Sequence, residues 1–565
     1  MKQKRLLTLA TAFIVLLTIF TPKNTHAQNK DDKWVLSGNF QSVTQFFDRD
    51  DEIGANTVVY RKQKSSNESW LFAKLSYNTW DFSMRYDLFN NSPLLNPQAS
   101  YSNQGLGFFQ IRKNIKGLDI TAGYFYDQFG SGTVFRAYED RNIGIDYAVQ
   151  GIRVKYTVGK NLRLKGFSGQ QKGNINNRFG VFPERLQGFN AEYDLRLGKR
   201  KKLSIQTGAS VINRTLDEST MSAVASEING LPLNQRFGDP KYNTFALNGY
   251  TTINYGPFTF YGEYSHKTKD LIRNLEERLI NRPGDVYFGI LTFAKNKLGK
   301  KKKSSIAVNL QYKKIDRFGF RINPYVNQLD GLITYLPSIT RANTFRLLAR
   351  YTSVPQVLGE QAYTGDILYA INRKTKLSFN YSSVNSLGFN GDNNGSPIKL
   401  FREYYGSISH KFSRKFKGKV GLQRIEYNQE RYEIKPGVEL VQTWTPFMEF
   451  TWKYSRRKSI RFEYQLLETK QDLGSFMNAV LEWNIAPKYS FSVTNMINHK
   501  PERFKGSSIP NKVINYPTVF ASYTHNQSVF TLAYIKQVQG VNCTGGICRV
   551  EPAFSGVRFT INTNF

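Results

Sequence analysis

The chain has 565 residues, with 78 Lys and Arg against 43 Asp and Glu and a formal net charge of +35. Its mean hydropathy of -0.46 and its 21% charged residues exclude a bundle of apolar membrane helices. In a cytosolic protein this charge would point to nucleic acid, but the first residues direct the chain out of the cytosol and exclude that partner.

Residues 1–27 read as a signal peptide. Lys2, Lys4 and Arg5 precede an apolar run from Leu6 to Phe20, and Thr25-His26-Ala27 fits a small-residue cleavage site. The run is shorter than the roughly 20 residues of a spanning helix, so residues 28–565 are expected as one exported unit. No linker divides them, and no convincing amphipathic helix is expected in them.

From Lys33 onward the chain alternates. Trp80, Phe82, Met84, Tyr86 and Leu88 interleave with Asp81, Ser83, Arg85 and Asp87; Leu118–Tyr126, Ile152–Tyr156, Ile306–Tyr312, Ile460–Leu466 and Met477–Ile485 repeat the pattern. A period of two places apolar and polar side chains on opposite faces of a strand. The connections also alternate in kind. Short ones such as Ile115-Lys116-Gly117, Tyr255-Gly256-Pro257 and Ala486-Pro487-Lys488 interleave with long polar ones such as Arg49–Glu68, Asn90–Gly105 and Asn213–Tyr242. This parity belongs to an all-β fold, a single transmembrane antiparallel barrel with short periplasmic turns and long outer loops. It predicts roughly 24 strands, within 22–26. Ile315–Glu360, with its NTFRLLARY run, reads equally as strand, loop or lumen plug.

Several short turns are basic: KRKK at 199–202, KLGKKKK at 297–303, SRKFK at 413–417 and SRRK at 455–458. They read either as solvated turns beside lipid headgroups or as a docking surface for an acidic periplasmic partner. On the polar strand faces, Arg85, Arg153, Lys155, Arg163, Lys165, Lys417, Lys419, Arg461 and Arg558 outnumber Asp81, Asp87, Asp119, Glu263 and Glu463. Such a lumen either favours anions or fills itself with cross-strand pairs.

Phe129–Gly151 places Arg136, Glu139, Asp140, Arg141 and Asp146 among Gly130, Gly132 and Gly144. These are candidates for a channel constriction; the alternative is an external loop held by local ion pairs. His266, His410, His499 and His525 make neither a metal-ligand spacing nor a nucleophile–base pair, so no cofactor, metal site or enzymatic activity is expected. Cys543 and Cys548 flank Gly545-Gly546 in an exported chain and read as a disulfide.

The chain ends in FSGVRFTINTNF. Val557, Phe559, Ile561, Thr563 and Phe565 share one face, and Arg558, Thr560, Asn562 and Asn564 the other. In a soluble sandwich the apolar face would meet a second sheet; in a barrel it meets lipid. The ending resembles that of bacterial outer-membrane barrels. That resemblance implies that Phe565 forms part of the signal read by the barrel-assembly machinery and that this strand closes on the first, near Trp34–Phe47. FGSGTVFRAYEDRNIGID, LPSITRANT at 336–344 and CTGGICRVEPAFSGVRFTINTNF together resemble a Bacteroidetes-type outer-membrane barrel family of unknown function. This implies a fold and a location but no activity. The function expected is a passive channel for small polar or anionic solutes with a loop constriction, the alternative a scaffolding barrel that binds partners through its turns or loops.

Overall fold

Alternation along the chain becomes a closed antiparallel barrel of 24 strands. The structure is a computed structural model. It describes residues 34–565 except 94–99, 174–176, 199–201, 239, 275, 300–302, 327–329, 389–395, 503–510 and 545–546, and gives only the backbone over the rest of 541–550. The proposed signal peptide, most of the 199–202 basic turn and residues 300–302 of the 297–303 turn lie outside the described residues.

Strands run from 8 residues (Leu118–Phe125) to 20 (Leu279–Leu298). Each pairs with its sequence neighbours in the barrel, and closure comes from Trp34–Phe47, which pairs with Ser65–Tyr77 on one side and Phe554–Asn564 on the other. The start of the first strand and the end of the last therefore lie at the short-turn end. The seam is tied at its last residue: Gly38 and Phe565 exchange backbone hydrogen bonds of 2.8 and 3.0 Å. A side chain on Gly38 would run into the Phe565 ring, so the terminal aromatic covers the gap this glycine leaves.

Because the period is two, register fixes each face. Trp34, Leu36, Met84, Ile152, Phe379, Leu481 and Leu532 point outward and are exposed. Aromatic pairs mark the short-turn rim of that belt: Trp34 stacks on Tyr77 at 4.2 Å, and the Trp483 indole donates to the Tyr454 hydroxyl at 2.7 Å.

Two expectations are corrected or resolved. A helix, Glu218–Gly230, does occur, inside the long 216–242 connection. Asp217 caps it, accepting from the backbone N–H groups of Ser219 and Thr220. Its buried stripe, Met221, Val224 and Ile228, packs with Leu216, Leu271 and Leu279. The three-and-four spacing is in the sequence, but it is short and surrounded by Ser, Asn and Gly. The Ile315–Glu360 segment is not a strand. Only its ends join the barrel, in Ser304–Asp316 and Gly359–Ala370, and NTFRLLARY forms turns.

Candidate functional site

Two long connections turn into the lumen. The first, 126–148, forms two small hairpins: Asp127–Phe129 with Phe135–Ala137, and Glu139–Asp140 with Ile145–Asp146. Gly132, at φ 101°, occupies a left-handed turn that side chains resist. Phe129 and Phe135 pack with Phe125 and Phe167, so the loop carries its own apolar anchor.

Its charges are held by the wall. Asp146 is fully buried and accepts from Arg85 at 2.8 Å, Lys172 at 2.7 Å and the Tyr126 hydroxyl at 2.8 Å. Burial alone would raise the Asp146 carboxyl, but the charges of Lys172, Arg85 and Arg178 outweigh it and hold the group well below the usual carboxylate range. Arg85 also binds Asp87 at 2.6 Å and Glu139 at 2.9 Å, and Glu139 accepts from Arg141 at 3.0 Å. Arg141 reaches the first strand through Gln41 at 2.8 Å. On another side, the Ser131 backbone and hydroxyl donate to Glu263 at 3.1 and 2.5 Å.

Glu139, Arg141 and Asp146 thus meet through one wall residue, Arg85. Arg136 lies elsewhere, its guanidinium 4.8 Å from the Tyr138 ring and 3.7 Å from the Tyr335 ring. Asp140 accepts from the Asn142 backbone, within its own turn, and from no other group among the described residues. The external-loop alternative does not describe this loop, which is seated inside the barrel.

The second connection, 317–358, crosses between opposite stretches of wall. Near one end Lys267 donates to the Gly319 carbonyl at 2.9 Å, Arg214 to that of Arg321 at 3.1 Å and Gln171 to that of Leu332 at 2.7 Å. Further along, Asn343 donates to Glu403 at 3.1 Å, the Leu347 N–H to Gln465 at 2.7 Å, and Arg350 and the Tyr351 hydroxyl to Asp472, each at 3.1 Å. Leu347 and Tyr351 sit in an apolar cluster with Tyr427, Leu467 and Phe476. The two connections bind each other through Arg136 N–H to Ile333 O at 2.9 Å and Tyr335 N–H to Gly132 O at 2.8 Å.

The remaining predicted lumen cations are mostly paired. Asp127 takes Arg153 at 3.2 Å, Lys155 at 2.8 Å and Lys165 at 3.3 Å. Arg163 binds Glu192 and Asp194, and Arg461 binds Glu449, Glu463 and Glu482. Arg558 faces Gln45, whose amide oxygen accepts at 3.2 Å in the orientation that satisfies both groups. Of the two readings of the inward charges, cross-strand pairing describes these residues. Uncompensated charge gathers elsewhere. Lys374, Lys411, Arg414, Lys415, Lys417 and Lys453 border a cup of about 670 Å³ at the short-turn mouth, with the inward-facing Thr451. None of the six forms an ion pair among the described residues.

Sequence reasoning left the second connection open between strand, loop and lumen plug, and missed Lys172 and Asp472 as anchors. Lys172 and Asp472 lie in connections, where period-two alternation assigns no face. Cys543 and Cys548 stand directly opposite in the Gly540–Thr544/Ile547–Glu551 hairpin, but their side chains lie outside the described residues.

The chain was compared with known proteins. No curated protein matches the sequence. Among solved structures it is similar to the P pilus usher translocation pore, with 10% identity, 94% of this chain and 99% of that chain covered, and a TM-score of 0.44. It is similar to the ferric enterobactin receptor of Pseudomonas aeruginosa, with 10% identity, 94% and 80% coverage and a TM-score of 0.42. The copper transporter OprC aligns with 8% identity, 94% and 80% coverage and a TM-score of 0.40. Likenesses this distant carry nothing about solute or partner. A family model, described as a family of unknown function, matches residues 1–565, and the chain belongs to that family, DUF6029.

Proposed function

We propose that this protein resides in the outer membrane and passes small polar solutes, anions preferentially, through a lumen whose opening is set by its two inward connections. The observation that carries this reading is the interlock itself. The 126–148 and 317–358 connections bind each other; Asp146 of the first pairs with Arg85 of the wall and with Lys172, and Arg350 of the second pairs with Asp472 in the connection between Leu467 and Gly474. A general diffusion pore needs no such seal, and a scaffold needs no polar lumen behind it. The apolar belt supports contact with lipid, since each large side chain loses about 1.5–3 kcal/mol when left in water. The uncompensated cup at the short-turn mouth supports the preference for anions. The Phe565 position at the seam is consistent with an assembly signal for the barrel-assembly machinery. Passage would be passive, with no covalent step.

Liposome swelling tests the selectivity. A small dicarboxylate is expected to enter fastest, a sugar of equal size more slowly and a diamine slowest. Equal or reversed order contradicts the reading. The cup also fits a second reading, an envelope scaffold that docks an acidic periplasmic partner. That reading predicts a stoichiometric cross-linked partner and no solute entry.

The opposed cysteines support a disulfide across the outer hairpin, because directly paired residues of antiparallel strands fall within the span a disulfide needs. Mass spectrometry of the unreduced protein should find the peptides of Cys543 and Cys548 joined; free thiols at both would exclude the bond.

A further inference from the structure

Beside the seam, on the lumen side, lies a cavity of about 530 Å³. This is within the roughly 300–1,000 Å³ of small-ligand sites. Its wall comes from the first, second and last strands and from the short helix Val58–Lys62. The Tyr60 hydroxyl donates to the Ala553 carbonyl at 3.3 Å and accepts from the Ser555 N–H at 3.2 Å, which fixes the far wall.

The lining is chemically specific. Arg141 and Arg558 bring guanidinium donors in from two sides. Arg558 is held by Gln45 and by the Phe554 ring, 5.2 Å away, and it forms no ion pair within 4 Å among the described residues. Trp70 also lines the cavity. It is 1% exposed, and its indole N–H has no acceptor among the described residues. An indole N–H can only donate, and buried donors are normally satisfied. Among the described residues the Trp70 N–H lacks an acceptor and Arg558 lacks a carboxylate within 4 Å, so the cavity offers donor capacity to an acceptor from outside the chain. Phe47 and Tyr60 supply apolar surface. Glu68 and Glu551 border the same space, so a carboxylate at that end would be repelled and a hydrogen-bond donor accepted.

We infer that this cavity binds a small organic acid with an apolar body: the carboxylate is held by Arg558, Arg141 and the Trp70 indole N–H, and a hydroxyl or ammonium group faces Glu68 and Glu551. Arginine pairs a carboxylate with two parallel N–H groups, which suits this end of the cavity. The inference deepens the solute-passage reading by naming a solute class, and rests on it for physiological meaning. Binding itself is measured without passage, so the two fail separately.

The test uses the full barrel in zwitterionic nanodiscs, titrated with 4-hydroxyphenylacetate and, in parallel, with the neutral alcohol 2-(4-hydroxyphenyl)ethanol. Tryptophan emission is the readout. The acid is expected to give a saturable change that is absent in Trp70→Phe and needs about tenfold more ligand in Arg558→Gln, while the alcohol gives none. Thr560→Trp, which fills the cavity from the wall, should abolish binding and decides the matter if Arg558→Gln does not assemble. An equal response to acid and alcohol, unchanged affinity in Arg558→Gln, or retained binding in Thr560→Trp would overturn the inference.

Discussion

An Asp146→Ala variant is expected to release the 126–148 connection from the wall. The substitution leaves Arg85 and Lys172 buried without their shared carboxylate, and breaking a buried pair in this way costs about 3–5 kcal/mol. Wild-type protein should resist trypsin at Arg136 and Arg141, and the variant should be cut there with the barrel intact. Asp140→Ala is the control, because Asp140 binds only its own turn among the described residues. Cleavage in both proteins, or in neither, would contradict the lock. The pH dependence follows in sign. A carboxyl whose folded value is depressed contributes stability above its unfolded value, about 3.9, and loses it only as pH falls through the lower folded value. Hydrogen exchange across 126–148 should therefore stay slow from neutral pH down to about pH 4.

Gly556→Val is expected to prevent closure of the barrel. Gly556 has φ 150° and pairs with Phe47, and a side chain there would meet the Phe46 carbonyl. The strand cannot move aside, because its other edge is paired with Ser528–Gln537. The clash with fixed backbone places the substitution in the class costing more than about 4 kcal/mol. Loss of heat-modifiable migration on electrophoresis is the readout. Val557→Leu, one residue on and facing outward, should migrate like wild type. A folded, closed Gly556→Val barrel would show that the seam is not where it is placed here.

The wall was legible because period-two alternation and the parity of turn lengths are local properties. Trp80–Leu88 and the last strand could be assigned faces residue by residue, and closure of Trp34–Phe47 on Phe554–Asn564 follows from an even strand number. Part of the charge pairing was also within reach. Arg85 and Asp87, like Arg461 and Glu463, stand two residues apart on one strand and must share a face. The contacts that seat the plug were not legible. Its contacts join Lys172 to Asp146 and Arg350 to Asp472, residues of connections that the sequence leaves without period or register. Arg136 shows the same limit: beside Glu139 and Asp140 it reads as part of a charge cluster, yet tertiary packing brings Tyr335 to its face instead.

The central claim is that two interlocked connections, and not the wall, set the opening of the lumen. Single-channel conductance in planar bilayers tests it most directly, comparing wild type with the Asp146→Ala/Asp472→Ala double variant. The account predicts low conductance with rare, brief openings for wild type and a large, steady conductance for the double variant. A wild-type barrel that is already wide open, with a conductance the double variant leaves unchanged, would contradict it.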